Sequence, residues 1–140
     1  MNAHRPIMLV EDSPMDVDLT RRAFNAGRVL NPFVVARDGE EAVAYVDGWH
    51  DGDPLPIVIL LDIKLPRLSG LDVLRHMRAH TRFRVVPVVV LTTSKEGSDV
   101  DQAYRLGANS YIVKPVEFDK FLEVARQIDV YWAMLNRAPD

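Results

Sequence analysis

Five polar side chains stand where apolar runs of this chain end, and their types suggest ionic chemistry. Glu11 and Asp12 follow the first run, and Asp62 follows the third. Thr92 ends the fourth run, and Lys114 follows the fifth. If these ends meet in the fold, three carboxylates that are ~4 Å apart repel pairwise by ~4 kcal/mol at an effective dielectric constant of ~20. We therefore expect that some of these carboxyl groups are protonated or that a cation lies between them.

The ligand types indicate which cation such a site would favour. Carboxylate oxygens without His or Cys favour a hard ion, and Mg²⁺ suits a few carboxylates that leave room for water and a phosphate. A bound Mg²⁺ and Lys114 would together attract a phosphoryl group and offset its charge. One of the carboxylates could then attack phosphorus and form an acyl phosphate.

The elements that must position these side chains alternate along the chain, because short β-rich runs are separated by stretches with apolar residues at helical spacing. The predicted strands are Ile7–Val10, Phe33–Ala36, Ile57–Leu61, Val86–Leu91 and Tyr111–Val113. The helical stretches are marked by Met15/Leu19/Ala23, Ala42/Val46/Trp49, Leu71/Leu74/Met77 and Val100/Ala103/Tyr104, with a fifth from Glu117.

Helix caps and turn residues support these elements. Ser13 before Pro14 predicts a capped helix start, and Ser69 with Asp72 predicts another. The predicted turns are Asn31-Pro32, Asp38-Gly39 and Asp53-Pro54. Five strand–helix units predict an α/β fold with a doubly wound, five-stranded parallel sheet in the order 2-1-3-4-5, flavodoxin-like, with five helices. Ligands of such sheets bind beyond the carboxyl ends of strands 1 and 3, where the acidic residues are expected.

The composition excludes several classes of protein. The 140 residues are 48% hydrophobic and 26% charged, as in a globular domain with a core. The longest apolar run, Ile57–Leu61, is far shorter than the ~20 residues that span a bilayer. A net charge of −3 argues against non-specific nucleic-acid binding, and the absence of Cys excludes disulfides, thiolate-bound zinc and thiol catalysis. We expect a cytoplasmic protein.

These residues resemble the receiver domain of two-component response regulators, from about Ile7 to about Ile128. The spacings from Asp62 to Thr92 and to Lys114 are those of the family. The matching segments are Glu11-Asp12, Leu61-Asp62-Ile63-Lys64-Leu65-Pro66 with Gly70, Leu91-Thr92-Thr93-Ser94 and Lys114-Pro115.

The resemblance implies a role for each matching residue. Asp62 would accept a phosphoryl group from a histidine kinase. Mg²⁺ would be held by Glu11, Asp12, Asp62 and the backbone carbonyl of Lys64. Lys114 would pair with the phosphoryl oxygens and Thr92 would hydrogen-bond them, while Tyr111 would switch between outward and inward rotamers. The signal would then be a surface change in helix 4, strand 5 and helix 5, read by a partner protein or by self-association.

The chain also resembles a narrower group, the small regulators paired with bacterial and cyanobacterial phytochromes. The run Thr92-Thr93-Ser94 and the aromatic end Tyr131–Leu135 carry this likeness. It implies a histidine kinase partner of the phytochrome type and divides the chain into a receiver domain, 1–128, and an extension of the last helix with a tail, 129–140.

The last helix predicts a homodimer. On a helical wheel the stripe expected to face the sheet is Phe118, Phe121, Ala125, Ile128, Trp132 and Leu135. The apolar residues left off that stripe, and therefore predicted at a dimer interface, are Val124, Val130, Tyr131 and Met134. The simpler alternative is scattered surface apolar residues.

Other functions stay open at this point. A receiver-like module could bind its partner without phosphorylation. A phosphatase of the haloacid dehalogenase class would need a second Asp where Lys64 stands, and a flavin carrier would need a phosphate loop where Glu11 and Asp12 stand. His76 and His80 have zinc-compatible spacing without a third ligand, so a solvated helix face is expected. Tyr111 could equally be a core aromatic.

Overall fold

The computed structural model describes residues 5–114 and 117–135, and residues 129–135 are described by their backbone alone. Strands and helices alternate, as the sequence predicts. The strands are β1 Ile7–Val10, β2 Phe33–Ala36, β3 Val58–Leu61, β4 Val88–Thr92 and β5 Ser110–Val113. The helices are α1 Pro14–Ala26, α2 Gly39–Asp47, α3 Gly70–Ala79, α4 Gly97–Arg105 and α5 Phe118–Leu135, and a 3₁₀ turn, Phe83–Val85, precedes β4.

The five strands form one parallel sheet in the order β2-β1-β3-β4-β5, which confirms the predicted topology. β1 and β3 are adjacent, and Val10 pairs with Leu61 at the end of the ladder. The residues that follow these two strands therefore emerge side by side at the carboxyl edge of the sheet.

Alternate strand residues face opposite layers, so the sheet is buried on both sides. Met8 and Val10 of β1 lie in the core under α2, α3 and α4, whereas Ile7 and Leu9 lie in the core under α1 and α5. Every residue of β1, β3 and β4 is buried.

Helix starts follow the predicted caps. The Ser13 hydroxyl accepts a hydrogen bond from the Asp16 N–H at 3.3 Å, and the Ser69 hydroxyl accepts one from the Leu71 N–H at 3.1 Å. The turn predicted at Asp38-Gly39 is instead the start of α2, with Asp38 as its N-cap. Gly39 is required there because a Cβ would overlap the backbone of Leu68.

Some predicted boundaries and faces differ from the structure. β4 begins at Val88 rather than Val86, because the Val86 N–H bonds the 3₁₀ turn and Pro87 has no N–H to offer the ladder. Met15 on α1 is 82% exposed and Tyr104 on α4 is 48% exposed, so these two markers of helical spacing lie away from the core.

The predicted faces of α5 need a correction. Val124 is 4% exposed and belongs to the core beside Phe121 and Ala125, so its assignment to a dimer interface is wrong. Phe118 is 40% exposed, because it is the first residue of the helix. The buried stripe runs through positions 121, 124, 125 and 128, a spacing of three and four residues that faces α1 and the sheet.

Three other predicted interface residues, Val130, Tyr131 and Met134, have side chains outside the described part of the chain, as do Trp132 and Leu135. Within the described residues, no helix combines the length and apolar character that crossing a membrane requires.

Candidate functional site

Backbone hydrogen bonds beyond the strand ends hold the predicted site residues at one edge of the sheet. The Glu11 N–H bonds the Ala36 carbonyl at 2.9 Å, and the Asp62 N–H bonds the Val10 carbonyl at 3.0 Å. The Lys114 N–H bonds the Thr92 carbonyl at 2.8 Å. The parallel hydrogen-bond ladder thus continues one residue past β1, β3 and β5, and the side chains of these residues lie in a common crevice.

Three carboxylates meet in that crevice. One oxygen from each of Glu11, Asp12 and Asp62 lies within 4.8 Å of the others. Glu11 and Asp62 are buried, whereas Asp12 is exposed at the mouth. An octahedral Mg²⁺ with ligands at about 2.0–2.1 Å separates its neighbouring oxygens by about 3 Å, so these oxygens would draw together around a bound ion. The all-oxygen set suits a hard divalent cation.

Lys114 is the cation that the chain itself supplies. Its Nζ donates to Glu11 Oε1 at 2.5 Å, to Asp16 Oδ2 at 2.9 Å and to Asp62 Oδ2 at 3.1 Å. All three N–H groups of the ammonium are therefore used. Asp16 is not among the site residues that the sequence predicts, because it lies 98 positions from Lys114 and its local pattern gives no sign of the pairing.

The chain's own cation only partly balances the carboxylate charges of the crevice. Burial raises the pKa of the Glu11 carboxyl to about 6, even though Lys114 and the Ser13 N–H favour its charged form. Burial alone would lower the pKa of Lys114, but hydrogen bonds to Glu11 and Asp16 and the charge of Asp62 raise it. One ammonium thus offsets several carboxylates only in part.

Glu11 also contacts the N-terminus of α1. Its Oε2 accepts a hydrogen bond from the Ser13 N–H at 3.1 Å, while its Oε1 faces Lys114. A single side chain therefore both caps the entry to α1 and contributes to the acidic crevice.

Asp62 is fixed from two sides. Its Oδ1 accepts a hydrogen bond from the Lys64 N–H at 2.9 Å, and its Oδ2 accepts one from Lys114. The loop that follows closes tightly on Asp62, because the Gly70 N–H bonds the Ile63 carbonyl at 3.1 Å and a Cβ on Gly70 would overlap the Asp62 carbonyl oxygen. The carboxylate is thus held in one orientation.

Thr92 and Tyr111 meet around Ser94 on the far side of the crevice. The buried Thr92 hydroxyl accepts a hydrogen bond from the Ser94 N–H at 3.4 Å. The half-buried Tyr111 donates its hydroxyl to the Ser94 carbonyl at 3.0 Å. Asp99 of α4, which sequence reasoning did not identify, accepts from the Ser94 hydroxyl and lies 3.7 Å from the Lys64 ammonium.

The two histidines of α3 have separate partners. His76 Nε2 lies 2.7 Å from Asp47 Oδ1 of α2, and His80 Nδ1 accepts the N–H groups of Arg82 and Phe83. These contacts hold α3 against α2 and against the 3₁₀ turn that precedes β4. Across the described residues, Glu11, Asp12 and Asp62 are the one group of side chains that converge as metal ligands.

Comparison with known proteins identifies the family. The family model described as "Response regulator receiver domain" matches residues 7–126. The chain is 38% identical over 135 residues to the "Probable methanogenesis regulatory protein FilR2" of Methanothrix harundinacea (strain 6Ac), covering 95% of this chain and 86% of that protein.

Two phytochrome-related regulators are also similar over most of the chain. Response regulator Rcp1 of Synechocystis sp. is 32% identical over 133 residues, covering 94% of this chain and 90% of that protein. The Mn²⁺-bound form of Rcp1 aligns with a TM-score of 0.78 over 91% of this chain and 94% of that chain. Phosphorylated cyanobacterial phytochrome response regulator RcpA aligns with a TM-score of 0.80 at 33% identity, covering 97% of both chains.

Proposed function

We propose, since the chain belongs to the family of response regulator receiver domains, that it accepts a phosphoryl group on Asp62 from a histidine kinase. The observation that carries the proposal is the environment of Asp62. This buried carboxylate lies between the Lys64 N–H and the Lys114 ammonium, inside an acidic crevice that suits Mg²⁺.

The residues of the crevice have distinct tasks in this transfer. An oxygen of Asp62 would form the bond to phosphorus as the phosphorus–nitrogen bond of a phosphohistidine breaks, which yields an acyl phosphate. Lys114 would offset the charge of the phosphoryl oxygens, and the Thr92 hydroxyl would donate to one of them. Glu11, Asp12, Asp62 and the Lys64 carbonyl would hold Mg²⁺, which supplies further charge compensation.

The test is labelling of the protein by a small phosphoryl donor such as phosphoramidate in the presence of Mg²⁺. Wild type should acquire one base-labile phosphate, and Asp62→Asn should acquire none. Asp18→Asn is the matched control, because Asp18 is exposed on α1 and pairs with Arg22 away from the crevice. Labelling of Asp62→Asn at the wild-type level would overturn the assignment.

The metal assignment has its own test. Mg²⁺ that binds the folded state alone should raise the melting temperature by mass action. Asp12→Ala removes one predicted ligand at the exposed mouth of the site and should weaken that rise. An equal rise in the variant and in wild type would contradict the ligand set.

We also propose that the phosphoryl group alters the surface of α4, β5 and α5. It puts a group of about −1.5 to −2 charge beside Lys114 and Thr92, in place of the single charge of Asp62. Movement of the Thr92 hydroxyl toward it would disturb the Ser94 N–H, and Ser94 also holds the hydroxyl of Tyr111. Nuclear magnetic resonance shifts should then extend to β5 and α4, and shifts confined to the crevice would contradict this route.

The pathway proposal is a histidine kinase of the phytochrome type, supported by the likeness to RcpA and Rcp1. The likeness to FilR2 favours a second pathway, in methanogenesis regulation, and transfer of the phosphoryl group from purified kinases of each type would separate the two.

The cytoplasmic location, the homodimer and the division into residues 1–128 and 129–140 stay predictions. The rival binding module that works without phosphorylation predicts that Asp62→Asn retains full signalling.

A further inference from the structure

Lys114 has three carboxylate partners that differ in how far they are removed from water. The side chains of Glu11 and Asp62 are 4% and 6% exposed, whereas that of Asp16 is 34% exposed. The Lys114 side chain itself is 10% exposed. Asp16 is therefore the outermost partner of a nearly buried ammonium.

An ammonium has three N–H donors, and the structure shows each of them given to a carboxylate. A phosphoryl group on Asp62 needs at least one of these donors for its own oxygens. Asp62 can give up its own bond without leaving a buried charge, because its charge passes to the phosphoryl oxygens. A second bond from Lys114 to the phosphoryl group must then come from Glu11 or Asp16. A buried carboxylate that loses its partner pays a large desolvation penalty, whereas a carboxylate that is one-third exposed can be hydrated instead.

The backbone of Asp16 is anchored independently of its side chain. Its N–H donates to the Ser13 hydroxyl at 3.3 Å, and its carbonyl accepts from the Thr20 hydroxyl at 2.6 Å. The carboxylate can therefore leave Lys114 by a rotation of the side chain while α1 stays in place.

We propose that Asp16 is a positioning residue that holds Lys114 while the site is empty and yields it to the phosphoryl group. This inference rests on the proposed function of Asp62. Asp16 competes with the phosphoryl oxygens for the ammonium, so it sets how strongly the site holds a phosphoryl group. Removing the Asp16 charge should strengthen that hold.

The test compares Asp16→Asn with wild type in binding beryllium trifluoride, a phosphoryl mimic, at saturating Mg²⁺. Because a partly exposed ion pair contributes modestly, the dissociation constant should fall by about two- to fivefold. The phosphoramidate concentration that gives half-maximal labelling should fall by a similar factor, while the maximal labelling rate stays within about twofold. A variant that only disturbed the structure would not bind the mimic more tightly.

Asp18→Asn is the matched control, with the same substitution and charge change two residues along α1 and no contact with Lys114. It should bind the mimic as wild type does. Asp16→Ser removes the charge with a different side chain and should reproduce the shift. Unchanged or weaker binding by both Asp16 variants, with normal binding by wild type, overturns this inference alone. Absence of binding and of label in wild type overturns the proposed function, and this inference with it.

Discussion

The charge of Glu11 destabilises the metal-free protein, and its amide counterpart should remove that effect. Burial raises the pKa of Glu11 from 4.5 to about 6, although Lys114 favours the charged form. Since one pKa unit corresponds to about 1.4 kcal/mol, the charged form of Glu11 costs about 2 kcal/mol of folding free energy. Glu11→Gln keeps the shape of the side chain and cannot ionise.

The direction of the pH dependence follows from the direction of the shift. Between pH 4.5 and about 6 the folded state holds the Glu11 proton more tightly than the unfolded state does. Stability therefore falls as the pH rises through this window, and the loss is complete above it. Lys114 is charged in the folded and the unfolded state throughout this range, so it adds no pH dependence to the unfolding free energy.

Urea unfolding at a series of pH values, with a chelator present, measures the effect. The unfolding free energy of wild type minus that of Glu11→Gln should drop by about 2 kcal/mol from about pH 4 to about pH 7. Glu96→Gln, at the exposed residue that precedes α4, is the control and should leave the slope unchanged. Mg²⁺ should restore wild-type stability at pH 7, because a cation favours the carboxylate. A difference that is constant or rises with pH would refute the reasoning.

Two further predictions concern the acceptor loop and the last helix. Gly70→Ala should lower the unfolding free energy by about 3 kcal/mol and slow the labelling of Asp62, because the new Cβ overlaps the Asp62 backbone. Gly97→Ala, at the start of α4 with open space around it, should be neutral or stabilising by up to about 1 kcal/mol, and equal losses in both variants would contradict this account. Light scattering should show a wild-type homodimer that a Tyr131→Asp/Met134→Asp variant loses. A wild-type monomer at micromolar concentration, with and without a phosphoryl mimic, would end that proposal.

The order of the elements could be predicted from the sequence because each signal is local. An apolar run such as that ending at Leu61 is typical of a strand buried on both faces, and Ser13-Pro14 marks a helix start wherever it occurs. Alternation of strands and helices then leaves few topologies. The residues that follow the strands consequently reach the predicted edge.

The orientation of α5 was harder to predict because a helical wheel does not show which neighbour lies where. Two stripes fit the apolar residues of this helix, one through Phe118 and one through Val124. The predicted stripe is correct at Phe121, Ala125 and Ile128, and the structure buries Val124 as well, since α1 packs against that side of α5. A stripe alone therefore cannot separate a core face from an interface.

Contacts between distant parts of the chain also escaped prediction. Asp16 reaches Lys114 across 98 positions of sequence, and nothing in the local pattern of either residue requires it. Arg78 is a second case, because its guanidinium binds backbone carbonyls of Phe83, Leu106 and Gly107 and so ties α3 to the loop between α4 and β5. Neither pairing has a signature in spacing or composition.

The charges of the crevice explain why a metal and a phosphoryl group should stabilise each other. Four carboxylates, Glu11, Asp12, Asp16 and Asp62, face one ammonium, so the metal-free site has a formal excess of three negative charges. Phosphorylation replaces the Asp62 charge with about −1.5 to −2 and would increase this excess, whereas Mg²⁺ removes two units of it. By linkage, whatever the metal contributes to holding the phosphoryl group, the phosphoryl group contributes to holding the metal. Phosphorylation of Asp62 would change the net charge of the site by only about −0.5 to −1, with or without Mg²⁺, because the phosphoryl group takes the place of the Asp62 charge. The proposed surface change would then arise chiefly from the new partners of Lys114 and Thr92.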